Sequence, residues 1–136
     1  MKEVKSKKNG IGVIFMAIST LKAWTFISET EVPSEVKEIL VEGEVAEVAY
    51  KTIRDTAVVT NKRLIIADKQ GITGKKVEVY TIPFKSIIMY SSENAGGLLD
   101  FNAELELWTK AGHFKLNLDK QIDIRKLDRI IGSYIL

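Results

Sequence analysis

Cysteine is absent from this sequence, and histidine occurs once, as His113. The first absence removes disulfides and thiolate metal sites. The second leaves any zinc site or Ser-His-Asp arrangement to be built around a single imidazole. No internal repeat or low-complexity stretch is present, and the net charge is +2. No apolar run is comfortably long enough to cross a bilayer. The best candidate, residues 11–27, is at the short end of that range and carries Lys22, which costs about 2.5–3.5 kcal/mol near a bilayer centre. What remains, at 46% hydrophobic and 28% charged residues over 136 positions, is the makeup of one globular domain with a modest extension.

Charge is unevenly placed along the chain. Residues 1–10 carry Lys2, Lys5, Lys7 and Lys8 against Glu3, a net of +3. Residues 29–47 hold seven glutamates against Lys37, a net of −6, and residues 48–136 return to +4. A nucleic-acid binder concentrates a strong basic stripe on its folded part. Here the basic charge is mild and dispersed, so no nucleic acid is expected as a partner.

The first thirty residues admit three readings. Four lysines before the apolar run Ile11–Ile18 resemble the start of a secretory signal, with Leu21-Lys22-Ala23 as its cleavage site. The same stretch can be read as a short membrane span. As a helix it is amphipathic, with Ser19, Lys22, Thr25 and Glu29 on one face and Ile14, Ile18, Leu21 and Trp24 on the other. This last pattern predicts an N-terminal helical extension over residues 1–30, serving assembly or a membrane surface.

From Pro33 the pattern becomes that of a compact domain spanning residues 31–136. A short helix is predicted over 33–42, with Pro33 in its first turn and Gly43 at its left-handed exit. Period-two alternation then runs from 45 to 118. About seven strands are expected, with Asn61-Lys62 and Ala111-Gly112 as tight hairpin turns. Pro83 ends a strand because it cannot donate to a central ladder. A closing amphipathic helix covers 121–135, where Ile124, Leu127, Ile131 and Tyr134 share one face. The fold class is α+β, mainly β: an antiparallel sandwich or barrel capped by the last helix.

The blocks TNKRLIIADKQGITGKKVE, IPFKSI and ENAGGLLDFNAELELW closely resemble the bacterial pleckstrin-homology-like (PH-like) domain family, over about residues 40–136. The resemblance implies two orthogonal antiparallel sheets of seven strands with a C-terminal helix plugging one open end. It also implies assembly into closed homo-oligomeric rings, with molecular function largely unassigned. Phosphoinositide-binding relatives in eukaryotes carry several basic residues on a long loop between their first two strands. Here that connection, Lys51 to Asp55, is too short to cradle an inositol phosphate. Asn102 stands where the family pattern has an aspartate, which weakens the idea of an obligatory acidic pair there.

Chemistry is faint. Gly71-Ile-Thr-Gly74-Lys75-Lys76 has the wrong glycine spacing for a phosphate loop, lacks the hydroxyl after the lysine, and leads into a strand rather than a helix. Lys62, Arg63, Lys69, Lys75 and Lys76 are the candidate anionic-ligand or interface residues, on the rim of one sheet. Ordinary solvated strand edges explain them too. Glu104 and Glu106 project from one strand face, and with Asp100 they fit outward polar positions better than an acid–base pair. His113 is expected to be exposed and Trp108 to be in the core. No catalytic residue, metal ligand or cofactor is expected. The reading is a non-enzymatic, cytoplasmic, homo-oligomeric module; the alternative is an adaptor for a membrane surface or an anionic ligand, anchored by its N-terminal helix.

Overall fold

A computed structural model describes residues 22–94 and 102–136. Its first element overturns the N-terminal helix over residues 22–30, since residues Lys22–Thr30 form a strand, β1; residues 1–21 of that expectation lie outside the described residues. Trp24 and Phe26 are buried at alternate positions of it, while Ala23, Glu29 and Thr30 are exposed. The three- and four-residue recurrence of polar groups was coincidental there. The aromatic and β-branched residues of KAWTFISET pack onto a pleated surface, which is what raises strand propensity. Ile14, Ile18 and Leu21, the other members of the proposed helix face, lie outside the described residues.

After β1 come a one-turn helix α1 (Ser34–Lys37), strands β2 (Ala46–Thr52), β3 (Thr56–Thr60), β4 (Arg63–Gln70) and β5 (Lys76–Pro83), and a 3₁₀ turn over Phe84–Ser86. Strands β6 (Ile87–Glu93), β7 (Ala103–Thr109) and β8 (Gly112–Leu118) and helix α2 (Ile124–Ile135) complete the described chain. The described strands number eight, one more than expected. They lie in the order β5-β4-β3-β2-β1-β8-β7-β6. Every pairing is antiparallel except β1 with β8, where Lys22 to Phe26 run alongside Phe114 to Leu118. The additional strand thus joins two antiparallel sets, β2–β5 and β6–β8, into one sheet.

The inner face carries the main core. Phe26 and Tyr50 stack with centroids 5.1 Å apart, among Leu64, Ile66, Leu105, Leu107, Leu116 and Leu118. Helix α2 contributes Leu127 and Ile131 to this core and lies against the 3₁₀ turn and β6. Asp123 caps it by accepting from the backbone N–H groups of Arg125 (3.0 Å) and Lys126 (3.1 Å). A second, smaller cluster lies on the outer face, where Val36 of α1 covers Ala49, Val58 and Ile65, with Val32 and Leu40 packed alongside. This explains why β3 and β4 are buried on both faces and read as near-continuous apolar runs. Gly43 exits the α1 region at φ +80°, a conformation that L side chains rarely adopt.

Candidate functional surfaces

The strongest polar construction starts from Glu44, whose side chain is wholly buried just before β2. Its carboxylate receives a fork from Arg63, through Nε at 2.8 Å and Nη2 at 3.0 Å. Thr60 Oγ1 donates to it at 2.7 Å, and the Val41 N–H at 3.0 Å. The Arg63 bond holds the Glu44 pKa down to about 2, helped by Thr60 and Val41, against a burial penalty that acts the other way. Arg63 also donates to the Ile39 carbonyl (2.8 Å) and to Thr81 Oγ1 (3.2 Å). Asn61, in the β3–β4 turn, accepts from the Val45 N–H and donates to the Gly43 carbonyl. The turn and the β2 approach are therefore locked together.

This network forms one wall of a cleft of about 360 Å³ between the β3–β4 turn and the β5–β6 corner. Pro83, Phe84 and Tyr134 supply its apolar side, the last two rings stacked at 6.3 Å and 3°. Lys62 and Lys85 line it as well. The backbone bond from the Phe84 N–H to the Lys62 carbonyl (3.0 Å) brings these lysines near one another. Lys85 carried no signal of its own in the sequence, because nothing local shows that IPFKSI turns back against the Asn61-Lys62 hairpin.

The five basic candidates fall into two groups. Lys62 and Arg63 belong to this cleft, whereas Lys69 lies six residues on, about 20 Å along β4. Lys69 lines a different, apolar groove of about 330 Å³ with Pro33, Glu35, Val36, Ile39, Val77 and Val79. Lys75 and Lys76 follow the β4–β5 loop, where Gly71 and Gly74 take positive φ. Lys76 begins β5, which is an edge strand.

A third cleft, about 290 Å³, opens where β1 begins, beside the Thr52–Asp55 turn. Asp68 is buried there between Arg54 Nε (3.0 Å) and Lys22 Nζ (3.8 Å). The Arg54 Nε–H is directed at the Lys69 carbonyl, so its contact with Asp68 is Coulombic. Lys22 also sits 5.5 Å over the Tyr80 ring. Trp24, expected on a membrane or assembly helix, stacks instead on Phe114 at 6.0 Å.

Two expectations on β7 and β8 need correction. Trp108 is half-buried on the outward side of β7, while Leu105 and Leu107 take the core. His113 is not exposed: it stacks on Trp108 at 4.6 Å and meets the Glu106 carboxylate through Nε2. Glu104 and Glu106 do share the outward face, with Glu104 placed 3.6 Å from Lys115. Asp100 lies outside the described residues. Among the described residues, no three His, Cys, Asp or Glu side chains group as metal ligands. No described helix is long and apolar enough to cross a membrane.

A mainly antiparallel sheet closed at one end by a C-terminal helix is the pleckstrin-homology architecture. The chain belongs to the bacterial PH domain family, whose model matches residues 16–135 and so takes in β1 as well. It is 51% identical over 82 residues to the uncharacterized protein YjqA of Bacillus subtilis strain 168, spanning 60% of this chain and 65% of that protein. It is 30% identical over 109 residues to the uncharacterized protein YozO of the same organism, covering 80% of this chain and 94% of YozO. Among solved structures it resembles a DUF1696-family protein with a pleckstrin-homology domain from Shewanella loihica PV-4, with a TM-score of 0.70 and 36% identity over 80% of this chain and 97% of that one. A pleckstrin homology domain from Shewanella amazonensis SB2B matches with a TM-score of 0.61 and 40% identity, over 76% and 84% of the two chains. PH domains are generally non-catalytic binding modules.

Proposed function

We propose that this chain is a non-enzymatic module that assembles with copies of itself, edge to edge. The observation that carries the reading is the pair of free edges on one sheet. β5 and β6 stand at its two ends, so each has backbone donors and acceptors with no neighbour among the described strands. Each edge strand also exposes an apolar pair. Val77 and Val79 on β5 are both 49% exposed, and Ile88 and Met89 on β6 are 68% and 53% exposed. An edge of one kind meeting an edge of the other is a heterologous contact, which generates rings when its rotation closes. The groove beside Val77 and Val79 continues their apolar surface, with Pro33, Val36 and Ile39 in its lining.

Light scattering on the full chain tests the reading. A discrete oligomer is expected at micromolar concentration, with Val79→Lys shifting it to monomer while leaving the circular dichroism spectrum unchanged. A strict monomer of the unaltered chain overturns it.

Attachment to a membrane surface is the second reading, supported by Lys2, Lys5, Lys7 and Lys8 ahead of Ile11–Ile18. Trp24 takes no part in it. Pelleting with anionic vesicles should then disappear in a chain beginning at Lys22. Pelleting that survives this truncation rejects the second reading and leaves the first untouched.

A further inference from the structure

We propose that the cleft between the β3–β4 turn and the β5–β6 corner binds a phosphate monoester whose organic part is flat and apolar. The volume, about 360 Å³, is that of a small-molecule site. Its lining combines the two kinds of group such a ligand needs. Pro83 and Tyr134 are apolar, and the Tyr134 ring is held in place by stacking on the buried Phe84. Lys62 and Lys85 are cationic, and neither makes an ion pair within the described residues.

The remaining charges around the cleft are already committed. Arg63 and Glu44 neutralise one another through the two-pronged contact, and Arg63 spends further donors on Ile39 and Thr81. Glu47, which is not among the lining residues, accepts from the Tyr134 hydroxyl at 2.5 Å and fixes the ring's tilt while keeping its own charge. Lys62 and Lys85 are the lining's ammonium groups without an ion pair among the described residues, and lysine acts on phosphate as a compact point charge. Two ammonium groups suit a dianion better than a carboxylate. The aromatic wall suits an ester better than free phosphate. Rigidity favours the assignment too, because the Asn61 bridges and the Phe84–Lys62 backbone bond fix both lysine-bearing turns before a ligand arrives.

Lys62 and Lys85 lie in turns and not along the free ladders of β5 and β6. Pro83 of the cleft is the last residue of β5, so the oligomeric state is followed in the same test. The test is titration of the full chain, followed by amide chemical shifts, with phenyl phosphate, inorganic phosphate, phenol and vesicles containing phosphatidic acid. The comparison chain is the Lys62→Gln, Lys85→Gln double variant. Both lysines are exposed, so the variant should keep its melting temperature, and light scattering checks that its oligomeric state is unchanged.

The expected result is saturable binding of phenyl phosphate with shifts at residues 61–63, 84, 85 and 134. It should be about tenfold or more tighter than inorganic phosphate or phenol, and weakened about tenfold or more in the variant. Vesicle binding lost in the same variant, with no response to phenyl phosphate, overturns the flat apolar ester and makes the two lysines an electrostatic membrane contact. Equal binding of phenyl phosphate and inorganic phosphate overturns the proposal. So does binding that the variant leaves intact, or the absence of any response at millimolar probe and in vesicles.

Discussion

Glu44 and Arg63 show how much of this protein rests on single side chains. Because the folded pKa of Glu44 lies near 2, below its ordinary value of 4.5, its ionised form contributes stability that is fully present above about pH 5. That contribution is lost as the pH falls towards 2, and amounts to about 3 kcal/mol. Urea unfolding of the Glu44→Gln variant should therefore lose about 2–3 kcal/mol less than the parent chain between pH 5 and pH 2.5. An identical pH slope in the two proteins would remove Glu44 from this role. Arg63→Met at pH 7 strands a buried carboxylate, and should cost about 3–5 kcal/mol in the same assay. Arg63→Lys keeps the charge but loses the fork, and should cost less. The sequence showed Glu44 only as one of seven glutamates between residues 29 and 47. Nothing local separates it from its exposed neighbours. The partner that buries it lies 19 positions away, and only strand pairing brings it there.

At the scale of elements, local chemistry decided most of what formed. The strands from 46 to 118 and the closing helix were legible, because alternation, turn residues and an amphipathic stripe all agreed. The turn at Asn61 and Lys62 and Pro83 at the end of β5 follow from residue type alone, whereas the closing helix starts at Ile124 and not at 121, because Asp123 caps it. Helix α2 carries one exception to helix propensity, Gly132, and its reason is tertiary. A Cβ at that position would sit 3.0 Å from the Tyr90 hydroxyl on β6. Gly132→Ala should therefore fail to deliver the usual gain of about 0.5–1 kcal/mol. In a Tyr90→Phe background the same change should recover it. A double-mutant cycle read by urea denaturation measures the difference, and strict additivity would show that the hydroxyl imposes no limit. Asp128 adds a second tertiary effect. Its helical position pointed to solvent, yet it accepts from Ser92 Oγ at 2.8 Å and ties α2 to β6.

At the scale of the whole molecule, β1 matters most. It lies between β2 and β8, so removing it splits the sheet and takes Trp24 and Phe26 from the core. Loss of one large buried aromatic costs about 3–5 kcal/mol, against a total stability of about 5–15 kcal/mol. A chain of residues 31–136 should show no cooperative thermal transition by circular dichroism. A chain of residues 22–136 should unfold cooperatively. Equal melting temperatures for the two would contradict the place of β1 in the sheet. The sequence by itself determined the class of fold, because hydrophobic period, turn chemistry and caps are local properties written in consecutive residues. The identity of β1 was not local in this sense. Its apolar residues satisfy a helical and an extended pattern alike, and the choice falls to the free edges of β2 and β8 that receive it. Tertiary structure likewise decided the pairing of Glu44 with Arg63, the placing of Lys62 and Lys85 on one cleft, and the two edges left open. Each depends on residues distant in sequence, whose approach is set by how the strands pair and where the chain turns.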